Sequence, residues 1–291
     1  MTNKITTLVG ITGKQGASIA DVFLQEGGWH VRGVTAIQPS VELVKANLND
    51  AASLKAAFAG STVAFGVADF WGIVADPESQ KRAQESGRPV NVLAYDLESA
   101  TLETINRFVL LTLSPTTKLS KGKYTYSFHF NTKWEAVEYL KGKYSALEKK
   151  RFYLQVALYL ENWKFSPLGG SLPGNPDAPV SQVIARHDTG SFVKALTQVE
   201  PGKRLPGASG FLSWNEYAAL WGKVHCVQCS FPPLDRKVIE NAIPSGVVEE
   251  LADMYEYIGD FANHGDPSLR IGAPFWTIEE FIRQEGWSSI L

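Results

Sequence analysis

Cysteine is nearly absent: Cys226 and Cys229 are the only two in 291 residues, too few for a disulfide framework and suited to a reducing compartment. They stand in VHCVQCSF beside His225. The flanking alternation reads as a strand, which turns residues three apart to opposite faces, and a second ligand pair is missing, so no metal is expected. Positive charge in excess is lacking too, with 28 Lys and Arg against 30 Asp and Glu and a formal net charge of -2. Such a chain has no overall field to gather a phosphate backbone or an anionic bilayer, and neither direct nucleic-acid nor membrane binding is expected. Apolar runs of membrane-spanning length are absent, and MTNKITTLVGITG meets glycine too early for a secretory leader; a cytoplasmic protein, or a nuclear one, is expected.

What is present is a 44% hydrophobic composition, enough for a large core. KITTLVG (4–10) reads as a buried strand, and Ile19, Val22 and Phe23 then fall at helical spacing before Gly27-Gly28 stops the helix. WHVRGVTA (29–36), VELVKANL (41–48), STVAFGVADFW (61–71) and RFVLLTLS (107–114) read as further strands. Between them lie a helix opened by Asn49 or Asp50, with Leu54 and Phe58 on one face, and another across much of 78–105. This alternation predicts an α/β fold, a Rossmann-type doubly wound parallel sheet with helices on both faces. SPLGGSLPGNPDAPV (166–180) breaks the pattern with glycine and proline. Shorter elements follow: a helix after Asp188, the segment SWNEYAALWGKV (213–224), and TIEEFIRQEG with a Thr277 to Glu280 capping box. The expected division is a dinucleotide-binding domain over 1–165 and a smaller α/β C-terminal substrate lobe over 166–291, interleaved with it. One connection is too short. Only IQPS parts the second and third strands, whereas a parallel crossover takes about a dozen residues. Residues are expected to be missing from the chain as written around Ala36 to Val41, a natural deletion being the alternative, with a similar shortening near Gly170 to Leu172.

Gly10, Gly13 and Gly16 stand three apart between the first strand and its helix. A glycine turn at that place lets backbone N–H groups and the helix dipole approach a pyrophosphate with no Cβ in the way. Tight turning and close helix–strand packing also use glycine, but the strand before and the helix after favour a dinucleotide.

GITGKQGAS, NLNDAASLKAAF, VADFW, RFVLLTLS, KLSKGKYTYSFHFNTKWEAVEYL, FYLQVALYLENW, LPGNPDAPV and EGWSSIL together make the chain resemble the NmrA-like family nearly end to end. That family is a set of atypical short-chain dehydrogenase/reductase proteins, common in fungi and including regulators of nitrogen metabolism. The resemblance implies a Rossmann domain with a small substrate lobe and bound NADP(H), with NAD(H) as the alternative. It implies that Thr12, Gly13, Lys14, Gln15 and Gly16 form the phosphate turn, and that Asn47 and Leu48, backed by Asn49 and Asp50, form an adenine-side loop. Asp69, Phe70 and Trp71 would pass the cofactor, Lys133 would lie near the nicotinamide ribose, and Tyr159, Glu161 and Asn162 beside the nicotinamide. The aromatic members also suit a core or rim, and Asp50 a helix cap.

The chain departs from the family pattern twice. Ala36 stands where relatives carry an arginine for the 2′-phosphate, leaving Lys14 as a partner and Arg32 as a solvated neighbour. Because no acidic residue ends the second strand to claim a ribose hydroxyl, NADP(H) is still expected over NAD(H). His129 stands four residues before Lys133, where the wider superfamily has its catalytic tyrosine. In a helix already begun at 129 the two share a face, and an imidazole transfers protons near neutrality. Alternatively, His129 and Phe130 lead into a helix capped by Asn131 or Thr132, and Tyr124 or Tyr126 is the donor. Two functional classes follow. One is an NADPH-dependent reductase of a small aromatic or apolar metabolite, with His129 and Lys133 catalytic; the other is a dinucleotide-sensing regulator whose second lobe binds a protein partner.

Overall fold

In the computed structural model, the described residues are 4–34, 41–46, 50–68, 70–71, 104–165, 173–242, 248–261 and 276–287. The first half runs β1 (Lys4–Val9), α1 (Lys14–Glu26), β2 (Trp29–Val34), β3 (Glu42–Val44), α2 (Ala51–Phe58), β4 (Val63–Gly66) and β5 (Arg107–Thr112). Next come α3 (Thr116–Leu119), α4 (Phe128–Lys143), α5 (Ser145–Glu148), β6 (Arg151–Val156), β7 (Leu158–Tyr159) and a 3-10 turn over Leu160–Phe165. The remainder is β8 (Val180–Val183), α6 (Ala185–Leu196), β9 (Arg204–Gly207), β10 (Gly210–Leu212), α7 (Trp214–His225), α8 (Arg236–Ala242), α9 (Val248–Phe261) and α10 (Ile278–Gln284).

Seven strands form one parallel sheet in the order β3-β2-β1-β4-β5-β6-β9, flanked by helices in the Rossmann manner. Period-2 alternation explains the two cores. Leu8, Val109, Leu111, Phe152 and Leu154 face α1 and α6, where Ile19, Phe23, Phe192, Val193 and Leu196 meet them. Val9, Phe108, Leu110 and Tyr153 face α2 and α4, where Leu54, Phe58, Val137 and Leu140 pack. Both faces being buried, each central strand is a nearly continuous apolar run, as parallel sheets require. Three further strands form a second sheet in the order β10-β8-β7. The chain crosses back between the two, since α6 and β9 lie beyond residue 166 yet cover and extend the main sheet.

Several expectations need correction. The third and fourth strands are shorter than their apolar runs, ending at Val44 and Gly66, and Phe70 and Trp71 are helical rather than extended. Cys226 is in no strand: α7 continues through His225, and Cys226 caps it in a left-handed conformation at φ 56°. Both cysteines are exposed and free, and no cluster of three metal-ligating side chains occurs among the described residues. Arg32 is not solvated; its side chain is only 12% exposed, donating to Glu42 Oε2 at 2.7 Å and to the carbonyls of Ala57 and Ala59. The helix after Asp188 begins earlier, at Ala185. The expected helix across 78–105 and the expected gaps near 36–41 and 170–172 fall largely outside the described residues, but β3 pairs in parallel with β2 directly. Among the described residues, no helix is long and apolar enough to cross a membrane.

Candidate functional site

A cleft of about 940 Å³ opens at the carboxyl ends of β1, β2, β4, β5 and β6, beside the point where strand order reverses between β1 and β4. Doubly wound sheets place ligands at that point. One wall is the turn from β1 into α1. Gly10 has φ +68°, which a side chain rarely adopts, and its carbonyl accepts from Gly13 N at 2.9 Å. A Cβ on Gly16 would lie 2.3 Å from Gly10 O, so only glycine lets α1 start this close to β1. Gly13 is the N-cap and gives no side-chain hydrogen bond, and the first turn holds no acid. No N-cap side chain therefore covers the start of α1, and the positive end of the helix dipole faces the cleft.

Gly10, Thr12, Gly13, Lys14, Gln15 and Gly16 all line the cleft, together with Phe70, His129, Lys133, Tyr159 and Asn162. Gln15 is 7% exposed and its Nε2 has no partner among the described residues. Lys14 Nζ lies 6.0 Å from the Tyr159 ring centre. Burial, aided by the Glu161 charge, holds the Tyr159 phenol well above its ordinary pKa, so the ring keeps its proton. Asn47, Leu48 and Asp69 lie outside the described residues. Asp50 is a cap, accepting from Ala52 N at 3.0 Å. Glu161 does not line the cleft; it caps α6, accepting from Ala185 N at 3.3 Å and Arg186 N at 3.0 Å.

The opposite wall is α4 and α9. Helix α4 begins at Phe128, so His129 is in its first turn and Lys133 one turn on. Neither proposed cap is one: Asn131 Oδ1 accepts from Thr117 N at 3.2 Å, and Thr132 Oγ1 donates back to Phe128 O at 2.8 Å. The cap comes from elsewhere. Glu250 on α9 accepts from Phe128 N at 2.7 Å, from His129 N at 2.9 Å, and contacts His129 Nδ1. Burial pushes the His129 pKa down; Glu250 pulls it back and Lys133 adds to the lowering, leaving it below the ordinary value. Phe70, Trp71 and Phe130 surround the ring with centroids 4.6 to 5.7 Å away.

Tyr124 is not a donor to this cleft. Its hydroxyl donates to Asp260 at 2.7 Å, and burial raises its pKa to about 12. Tyr126 is 49% exposed and also lies off the cleft lining. Helix α9 therefore has two faces: Glu250, Asp253 and Asp260 grip the 123–129 segment, while Leu251, Met254, Tyr255 and Ile258 give the cleft an apolar wall. Sequence reading missed Glu250 and Asp253, which act from more than 120 positions away.

A parallel doubly wound sheet with a glycine turn at its switch point, opening onto a cleft that α9 also lines, defines the dinucleotide-binding class of fold. Within it, the NmrA-like family profile matches residues 1–286, and the chain belongs to that family. It is 25% identical over 279 residues to the NmrA-like family domain-containing oxidoreductase hkm9 of Aspergillus hancockii, covering 80% of this chain and 76% of that protein. The negative transcriptional regulator NmrA, solved with NAD, superposes with a TM-score of 0.69 at 18% identity, covering 98% of this chain and 95% of that one. NmrA has also been solved with NADP. The NADPH-dependent quinone oxidoreductase QOR2 of Escherichia coli, complexed with NADPH, superposes with a TM-score of 0.70 at 15% identity, covering 95% of this chain and 98% of that one.

Proposed function

We propose that this chain binds NADP(H) in the cleft and reduces a small aromatic or apolar carbonyl compound there. One observation carries the reading: the Gly10–Gly16 cradle, His129, Lys133 and the apolar face of α9 all open onto a single cleft. The residues present fit a dinucleotide. A Cβ at Gly16 would close the cradle, and the unpartnered Gln15 Nε2 is a buried donor awaiting an acceptor. When bound, the dinucleotide supplies the hydride. Lys133 gives the cleft a cation for ribose hydroxyls or a substrate oxygen, and His129 supplies a ring nitrogen for proton transfer. Leu251, Met254, Tyr255 and Ile258 exclude water from an apolar substrate body. Lys14 and the absence of acidic side chains from the described lining favour the 2′-phosphorylated dinucleotide, whereas Arg32 is committed to Glu42 and α2.

Titration calorimetry with NADPH and NADH, followed by single-turnover NADPH oxidation against aromatic ketones, enones and imines, tests the proposal. Tighter NADH binding reverses the cofactor choice. The second reading, a dinucleotide-responsive regulator with a protein partner, draws on the exposed Tyr126 and Phe128 at the start of α4. Dinucleotide binding with no oxidation of any substrate, and a partner recovered only with dinucleotide present, would establish it instead.

A further inference from the structure

We infer that Glu250 is a positioning residue for His129: from α9 it fixes the imidazole as its Nδ1–H tautomer and leaves Nε2 as the nitrogen that meets a ligand in the cleft. The two side chains are 9% and 4% exposed, so neither is hydrated enough to switch partners freely. The carboxylate already accepts two backbone N–H groups, Phe128 N and His129 N, which can only donate. With both carboxylate oxygens already serving as acceptors to N–H groups, the contact at Nδ1 is met by a ring N–H. The charges acting on the ring are Glu250 from α9 and Lys133 from α4, while Phe70, Trp71 and Phe130 contribute none. Lys14 and Tyr159, from α1 and β7, share the cleft.

A neutral ring of this tautomer has a lone pair at Nε2 and nothing there to donate. It becomes an acid only after a second proton arrives, and Glu250 is the group that stabilises that imidazolium against burial and Lys133. This consequence rests on the reductase reading above. The carbonyl carbon gains a hydride from the reduced dinucleotide, the carbonyl oxygen gains the proton leaving Nε2, and the ring returns to neutral. Reduction should therefore accelerate as pH falls toward a midpoint below about 6.5, the ordinary histidine value.

Nitrogen-resolved NMR of His129 across pH, in the dinucleotide-free protein and in Glu250→Gln, tests the positioning directly. The expected result is an Nδ1–H ring in the natural protein and a midpoint about 1–3 units lower in the variant, as for a lost opposite charge at close range. The loss of NADPH-dependent reduction of acetophenone and benzylideneacetone with rising pH should move with it, and the melting temperature should fall, because glutamine keeps one acceptor oxygen and turns its NH2 group against a buried N–H. An Nε2–H ring in the natural protein, or equal midpoints in both proteins, overturns the inference. If Glu250→Gln does not fold, the tautomer of the natural protein decides alone. Absence of turnover with every carbonyl, alongside the expected NMR result, removes the reductase reading and leaves the positioning intact.

Discussion

The two walls of the cleft are built on opposite principles. The wall at residues 10–16 is backbone: three glycines, a carbonyl–amide bond across the turn, and uncapped helix amides, all within seven consecutive positions. The wall at His129 and Lys133 is held by side chains from far along the chain: from α9, Glu250 reaches Phe128 and His129, and Asp253 and Asp260 grip the residues just before them. A backbone cradle tolerates almost any neighbour but no Cβ; a side-chain grip tolerates substitution of what it holds but not of the hands. The first suits a ligand held at one fixed place, the second a side chain whose orientation is set from a distance.

The sharpest way to separate the walls is kinetic. His129→Phe should leave NADPH affinity nearly unchanged and cut turnover by about 10²- to 10⁴-fold, whereas Lys133→Ala should weaken both. Calorimetry beside single-turnover oxidation reads the two separately, and full activity in His129→Phe would take it out of the mechanism. Gly16→Ala should act on the cradle alone. Its Cβ meets Gly10 O at 2.3 Å, so α1 must lift from β1, abolishing NADPH binding by calorimetry and costing about 1–3 kcal/mol in a urea melt. Gly190→Ala is the control: the Cβ clashes equally with Ser18 O, but Gly190 does not line the cleft, so stability should fall while NADPH binding survives. Glu161→Ala should cost about 0.5–2 kcal/mol by uncapping α6, with no change in the His129 midpoint.

The smallest effect concerns pH. Burial raises the Asp260 pKa, but hydrogen bonds from Lys123 and Tyr124 outweigh it and leave the carboxyl below its ordinary value. A depressed carboxylate stabilises the fold above its unfolded pKa and loses that stabilisation as pH falls through the folded one. The ion pair is well exposed, so its contribution is small. Melts in acid should show natural protein and Asp260→Asn converging as pH drops below about 4.

How much was legible follows from distance along the chain. The glycine turn, the α1 apolar face and the Thr277–Glu280 capping box are local patterns, and the structure carries them as read. A second capping box, Ser213 with Glu216, was equally local and passed unnoticed, although S-x-x-E before WNEY is its signal. The Cys226 strand failed because alternation in VHCVQC competes with the helical period of WNEYAALWGKVH, and burial of Trp221 and Ala218 decided for the helix. Arg32 reads as solvated until the end of α2 is placed beside it. Glu250 had no local signal at all, because one carboxylate in VEELADMYEYIGDF looks like any other helical surface acid until α4 is set against it.

The crossing of the chain at α6 and β9 also bears on synthesis. As the chain leaves the ribosome, β1 to β6 emerge first, but the α1 face of the sheet stays open until Phe192, Val193 and Leu196 arrive, and the edge beside β6 until Arg204–Gly207 does. Domains tend to fold from the N-terminus as they appear. Here the nascent sheet must wait with apolar surface exposed until about two-thirds of the chain has been made, which makes the interval after β6 the period of translation in which chaperones have most to bind.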